Sequence, residues 1–268
     1  MDKNLNVKPM LTEPISLLKA AWELYVKNWQ KLVILTLIPM IILGIATLLA
    51  WLLGIIRYLP ANEAAVTKAT DPVISSLGFF FVTAGGFDAL PLWGKIILVI
   101  VVCIIGIIVS LSMVISQLLV LKSKGELDLK TAVKDSVKYW IKYFLVGLLF
   151  GLIITGGLLL FIIPGIFWAV MFCLASVILV FEDTSIIGAL KRSRELTRGY
   201  WWAIFGRLIL WLAVWLAVLF LVSLVAGLLR LASQEAATIL LDLAQLVLGP
   251  VYLAYIVLLY QSLQQIKK

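Results

Sequence analysis

Six stretches of this chain are apolar enough to cross a bilayer as helices: Leu32 to Ile56, Ile96 to Leu121, Leu145 to Ile163, Ile166 to Phe181, Ala203 to Leu229 and Ala236 to Tyr260. A spanning helix needs roughly 20 mostly apolar residues. In hydrocarbon an unpaired backbone N–H or C=O finds no water, so such a segment must satisfy its own hydrogen bonds as a helix. The composition agrees, with 63% apolar residues and 13% charged ones. An all-α, polytopic membrane protein with six transmembrane helices is therefore expected. The fourth segment is short and shares a tight turn, Pro164-Gly165, with the third. Two full spans are expected there, because Lys/Arg-rich segments flank the pair on both sides. One bent, re-entrant unit is the alternative. The first apolar run is too long for a cleaved signal peptide and follows an amphipathic stretch rather than a short basic one.

Lysine and arginine set the orientation. With the amino terminus in the cytoplasm, 18 of the 22 basic residues fall on the cytoplasmic side, and only Arg57, Lys68, Lys95 and Arg230 fall outside or at the outer interface. That asymmetry is the positive-inside pattern of a cytoplasmic (inner) membrane protein with both termini in the cytoplasm. The net charge of +8 thus has a positional meaning. No basic arm stands free of the apolar segments, so no nucleic-acid partner is expected.

Three stretches that open pairs of apolar segments share a pattern. The first reads Leu18-Lys19-Ala20-Ala21-Trp22-Glu23-Leu24 with Trp29, and the third reads Leu190-Lys191-Arg192-Ser193-Arg194-Glu195-Leu196 with Trp201. The second, Val133-Lys134-Asp135-Ser136-Val137-Lys138-Tyr139 with Phe144, keeps the pattern but not the identities. The reading is three repeats of an interfacial amphipathic helix plus a transmembrane hairpin, at about 11–122, 127–181 and 184–262 of one membrane domain.

Helical spacing gives each opening helix two faces. In the first, Ile15, Leu18, Trp22, Tyr25 and Trp29 oppose Ser16, Lys19, Glu23, Lys27 and Gln30. In the second, Leu129, Val133, Val137, Trp140 and Phe144 oppose Lys130, Lys134, Lys138 and Lys142. A lysine at every fourth residue suits anionic headgroups. A helix resting at the interface is the plainer reading and lipid recognition the sharper one. Tyr58 to Trp93, with its apolar stretch Leu77 to Val82, is expected to lie in the outer interface or cap the bundle.

Few groups suggest chemistry. Histidine is absent, which removes the usual general base near neutral pH. Cys103 and Cys173 each sit alone in apolar runs and read as small hydrophobes, so neither a metal nor a cofactor is expected. No phosphate loop, nucleophile elbow or zinc motif occurs. Charge concentrates between Glu182 and Arg198, where Glu182, Arg192 and Arg198 are candidate headgroup or partner contacts and a structural corner is the first reading. Asp183-Thr184-Ser185 fits a helix start. Asp242 and Gln245 lie inside the last span, ahead of Gly249-Pro250, which is expected to interrupt it. A carboxylate at depth often marks an ion path. Water or Arg230 at the outer interface is the structural alternative. Gln117, Ser110, Ser112 and Ser116 suit interhelical hydrogen bonds, and Gly147, Gly151, Gly156 and Gly157 suit close packing.

The pattern from Pro164-Gly165-Ile166 through Glu182 to Ala189-Leu190-Lys191-Arg192-Ser193 and Leu196-Thr197-Arg198-Gly199-Tyr200-Trp201, followed by Gly249-Pro250 and Leu258-Leu259-Tyr260-Gln261-Ser262-Leu263, resembles a broad group of bacterial and archaeal six-helix proteins. The group includes the YciC-like proteins and the glycerophosphoryl diester phosphodiesterase membrane domain. The resemblance implies a membrane part alone. No catalytic barrel is expected with it, and the sequence has no histidine for the acid–base step such barrels use. The expected function is therefore a non-enzymatic membrane scaffold or auxiliary protein in contact with anionic lipid. A small transporter or channel is the alternative, and a lipid-modifying enzyme using Glu182, Asp183 or Glu195 the weakest reading.

Overall fold

The computed structural model describes residues 13–52, 92–230 and 233–267. Every regular element among them is helical: α1 (Pro14–Leu52), α2 (Leu92–Lys122), α3 (Leu129–Ser136), a 3-10 turn (Val137–Tyr139), α4 (Trp140–Leu160), α5 (Ile162–Phe172), α6 (Ala175–Phe181), α7 (Ile186–Thr197), α8 (Trp201–Leu229) and α9 (Gln234–Ile266). Among the described residues, five stretches are long and apolar enough to cross a membrane, namely Ile104–Lys122, Leu129–Leu159, Ile162–Phe181, Trp201–Leu229 and Ala236–Ile266. Of the first expected span, Leu32 to Ile56, residues 32–52 are described and form the second part of α1, and residues 53–56 lie outside the described residues. Of Tyr58 to Trp93 only Leu92 and Trp93 are described, and they open α2.

The chain divides into two compact units, Leu37–Ser110 and the remainder. In the first, the described residues are the ends of α1 and α2. The remainder carries a core in which Leu17, Tyr25 and Leu32 of α1 join Ile115, Leu118 and Leu121 of α2, Leu174, Ala175 and Val177 to Val180 around α6, and Tyr255, Leu259 and Leu263 of α9. Among the hydrogen bonds that tie α2 into it, Gln117 Nε2 donates to Thr36 Oγ1 at 2.9 Å and Ser116 Oγ stands 3.3 Å from the Ala132 carbonyl.

The opening helices present different faces from those the spacing suggested. In α1 the buried residues are Leu17, Ala21, Tyr25, Asn28, Leu32 and Leu35, while Ile15, Trp22 and Trp29 are exposed. In α3 and the turn after it, Ala132, Ser136 and Tyr139 are buried while Val137 is exposed, as is Phe144 in α4. Beside a membrane a helix has two apolar surroundings, protein and lipid. Small residues let backbones approach and so claim the protein side. Bulky apolar residues are left for the other.

The third and fourth apolar segments also break elsewhere. The reversal comes at Phe161 (φ −160°, ψ 148°), and Pro164 sits in the first turn of α5. A proline there forfeits nothing, because first-turn N–H groups have no intrahelical acceptor. The fourth segment is two helices, α5 and α6, parted at Cys173 and Leu174. Gly157 and Gly165, one from each arm, meet at this hairpin, whereas a Cβ on Gly147, Gly151 or Gly156 would find nothing within 4 Å. Of the four glycines expected in close packing, only Gly157 is in such contact among the described residues. Nor does Gly249-Pro250 interrupt α9, which is continuous through Pro250. The missing proline N–H removes one bond of the ladder without ending the helix.

Candidate functional site: a charged corner and its lysine clamps

The loop from α6 to α7 is built by two local devices. Asp183 takes a left-handed conformation (φ +46°), one that aspartate tolerates better than most residues. Ser185 caps α7, its Oγ accepting the Gly188 N–H at 3.1 Å. This tight reversal projects Glu182 and Asp183 in different directions. Asp183 faces α4 and the turn before it. Its Oδ2 lies 2.5 Å from Lys138 Nζ and its Oδ1 3.8 Å from Lys142 Nζ. The Lys138 hydrogen bond, with the charges of Lys138 and Lys142, holds the Asp183 carboxyl below the usual carboxylate range.

Glu182 faces α7 and α9. Arg192 Nε stands 3.5 Å from its Oε1, and the same oxygen accepts a hydrogen bond from Tyr260 Oη at 2.9 Å. Arg192 also reaches Glu195 Oε2 at 3.5 Å. Tyr260 was not among the residues expected here. Its place near the end of the last apolar segment, as a polar-tipped aromatic, was the available signal.

Three lysines dock on backbone carbonyls that helix ends and turns leave unpaired. Lys31 Nζ donates to the carbonyls of Gly125 and Leu127 at 2.7 and 2.9 Å. Lys122 Nζ donates to Val180 at 2.9 Å. Lys267 Nζ donates to Glu195 and, at 2.8 Å, to Arg198. An amine at such a site satisfies orphan acceptors and the negative end of the helix dipole together.

A second polar line joins α7 to α5. Ser193 Oγ donates to the Met171 carbonyl at 2.9 Å, Thr197 Oγ1 lies 3.3 Å from the same oxygen, and Trp201 Nε1 donates to the Phe167 carbonyl at 3.2 Å. Donors at 193, 197 and 201 thus read acceptors at 171 and 167, each one helical turn apart. The Met171 carbonyl sits at the break before Cys173, where the ladder leaves it free.

The expected site residues separate into two sets. Lys138, Lys142, Glu182 and Arg192 come together at the corner. Lys130 and Lys134 are exposed, as are Lys191, Arg194 and the Arg198 side chain, and none of them joins an ion pair among the described residues. Asp242 and Gln245 are exposed on α9, and the Asp242–Arg230 pair considered from sequence does not form. Among the described residues no three His, Cys, Asp or Glu side chains are placed to hold a metal ion. Two shallow clefts are apolar. One, of about 300 Å³, lies between Ile163, Ile166, Phe167, Trp201 and Trp202. The other, of about 250 Å³, is lined by Trp211, Leu212, Trp215, Leu248, Gly249 and Tyr252.

The family described as "Uncharacterised protein family (UPF0259)" matches residues 92–262. A "UPF0259 membrane protein" of Serratia proteamaculans (strain 568) is 34% identical over 113 residues, 42% of this chain and 44% of that protein. The likeness thus spans under half the length of that relative. No solved structure matches. Since the family match covers well over half of the chain, the protein belongs to this family of membrane proteins.

Proposed function

We propose that this integral membrane protein is a non-enzymatic scaffold or auxiliary protein of the cytoplasmic membrane, with both termini in the cytoplasm and its basic face against anionic lipid headgroups. One observation carries the reading. The corner carboxylates Glu182, Asp183 and Glu195 are engaged by Arg192, Lys138 and Lys142, while Lys130, Lys134, Lys191 and Arg194 remain exposed and outside those ion pairs. Basic side chains near an anionic leaflet contribute about 1 kcal/mol each.

The threefold internal repeat belongs to the same reading. It is supported by burial at equivalent positions: Leu17, Ala132 and Ala189 are all buried, and so are Ala21, Ser136 and Ser193 one turn later. The kinship with YciC-like proteins and the phosphodiesterase membrane domain is proposed on the same sequence pattern, now beside membership of an uncharacterised membrane family. The transporter alternative needs Asp242 and Gln245 in a common cavity, and neither lines either cleft.

The test uses the full chain, extracted with a mild detergent and examined by native mass spectrometry. Anionic phospholipid should be retained over phosphatidylcholine, and the variant Lys130→Gln/Lys134→Gln/Lys191→Gln/Arg194→Gln should lose that preference. Equal retention of both lipids by the unaltered protein overturns the proposal.

A further inference from the structure

We infer that the hairpin made by α4, α5 and α6 does not cross the membrane: it dips into one leaflet and returns, and its outward apolar face packs against the acyl chains of that leaflet. The two arms run antiparallel. Gly157 meets Gly165 near the tip, and Lys138 meets Asp183 at the base. Were the hairpin a pair of full spans, base and tip would lie on opposite sides of the bilayer.

The hydrogen bonds from α7 exclude that. α7 and the residue after it carry Lys191, Arg192, Arg194, Glu195 and Arg198, all but Arg192 exposed. At mid-bilayer each Lys or Arg is costly even on the most permissive scale. This helix therefore belongs at the membrane surface. Ser193, Thr197 and Trp201 nevertheless bind the Met171 and Phe167 carbonyls, so most of the returning arm lies beside a surface helix. From Phe167 back to the reversal at Phe161 the chain covers about 9 Å at 1.5 Å per residue. The hydrocarbon core is about 30 Å thick. The tip cannot reach the far side. Ile163, just past the reversal, shares a cleft with Trp201 and Trp202, which open α8.

What covers the hairpin follows from its chemistry. Leu159 is 83% exposed, Phe161 75% and Ile163 81%, and Ile141 and Leu152 extend the same uncovered apolar surface along α4. The flanking helices α3 and α7 carry the exposed Lys130, Lys134, Lys191 and Arg194. An apolar wedge edged by cations is complementary to one leaflet: acyl chains for the wedge, anionic headgroups for the margin. The inference does not depend on the headgroup preference proposed above. It concerns where the hairpin lies, whichever headgroup is bound.

The experiment places a protease site with flexible flanks between Phe161 and Ile162 of the full chain. Reference sites are placed after Lys268 and between Leu231 and Ala232. Protease is then added to either face of membrane vesicles. The tip site should be cut from the face that cuts the site after Lys268. Cutting from the face that cuts between Leu231 and Ala232 overturns the inference. A second readout avoids the insertion. In a background lacking Cys103 and Cys173, Phe161→Cys should react with an impermeant maleimide from the face that labels Gln265→Cys, or from neither face where acyl chains shield it. Reaction from the face that labels Gln234→Cys overturns it equally. Failure of the lipid-retention test with the tip on the Gln265 face would leave this inference standing and remove only the headgroup reading.

Discussion

Gly157 and Gly165 approach so closely that a Cβ on Gly157 would lie 2.8 Å from the Gly165 Cα. The obstacle is backbone, which cannot swing aside as a side-chain tip can. Gly157→Ala and Gly165→Ala should each destabilise the protein by about 1–3 kcal/mol, the usual range for overpacking. Gly147→Ala and Gly151→Ala are the controls, since nothing lies within 4 Å of either new methyl. They should be neutral or stabilising by up to about 1 kcal/mol, because alanine favours the helix. Unfolding in mixed micelles measures all four.

The Met171 carbonyl has two hydroxyl partners, Ser193 and Thr197, and the Thr197 hydroxyl also lies 3.2 Å from the Arg194 carbonyl. Ser193→Ala alone should cost about 1 kcal/mol or less, because Thr197 remains. Ser193→Ala/Thr197→Val leaves the carbonyl unpaired and should cost about 1–3 kcal/mol. The double variant should exceed the sum of the singles by at least about 0.5 kcal/mol, a coupling that a double-mutant cycle reads directly.

Acid should loosen the corner. The Asp183 carboxyl is held below its ordinary value by Lys138 and Lys142, so their contribution is complete above about pH 4, the unperturbed aspartate range. It is lost as pH falls through the lower folded-state value. Comparison of the melting temperature with that of Asp183→Asn should show a wild-type advantage at pH 6 that shrinks on acidification. A constant difference would mean that this carboxylate is not the titrating group.

Asp242→Asn should be nearly silent. The side chain is exposed and forms no ion pair among the described residues. Expression and thermal stability should stay within about 0.5 kcal/mol of wild type, as for surface changes generally. Loss of an ion or solute flux in proteoliposomes, with the fold intact, would replace the scaffold reading with the transporter.

The helices were legible because their signal is the length of the apolar run, which tolerates error. Which face meets protein was not. Trp22, Trp29 and Val137 mark the apolar face at helical spacing, yet the residues buried against protein are Ala21, Asn28 and Ser136. A hydrophobic pattern has no way to distinguish lipid from protein. The reversal at Phe161 was hidden for a related reason, since Pro164-Gly165 reads as a turn unless one knows that the proline sits where a helix needs no N–H. Charge asymmetry was blind to the hairpin altogether: two crossings and none leave Lys130–Lys142 and Lys191–Arg198 on the same side. At the corner, Glu182 and Arg192 stood out by local density. Tyr260, 78 residues from its partner Glu182, did not.

The lysine clamps impose an order on biosynthesis. Lys31 waits for carbonyls 94 and 96 residues downstream, Lys122 for one 58 residues downstream, and the carbonyls of Glu195 and Arg198 for an amine 72 and 69 residues downstream. At a synthesis rate of about 5–20 residues per second, each wait lasts several seconds. During that time a ribosome-bound intermediate carries an unfilled amine or an open helix end. The partners become available in the sequence 31, 122, 267, so chain growth lets each clamp close before the next can form.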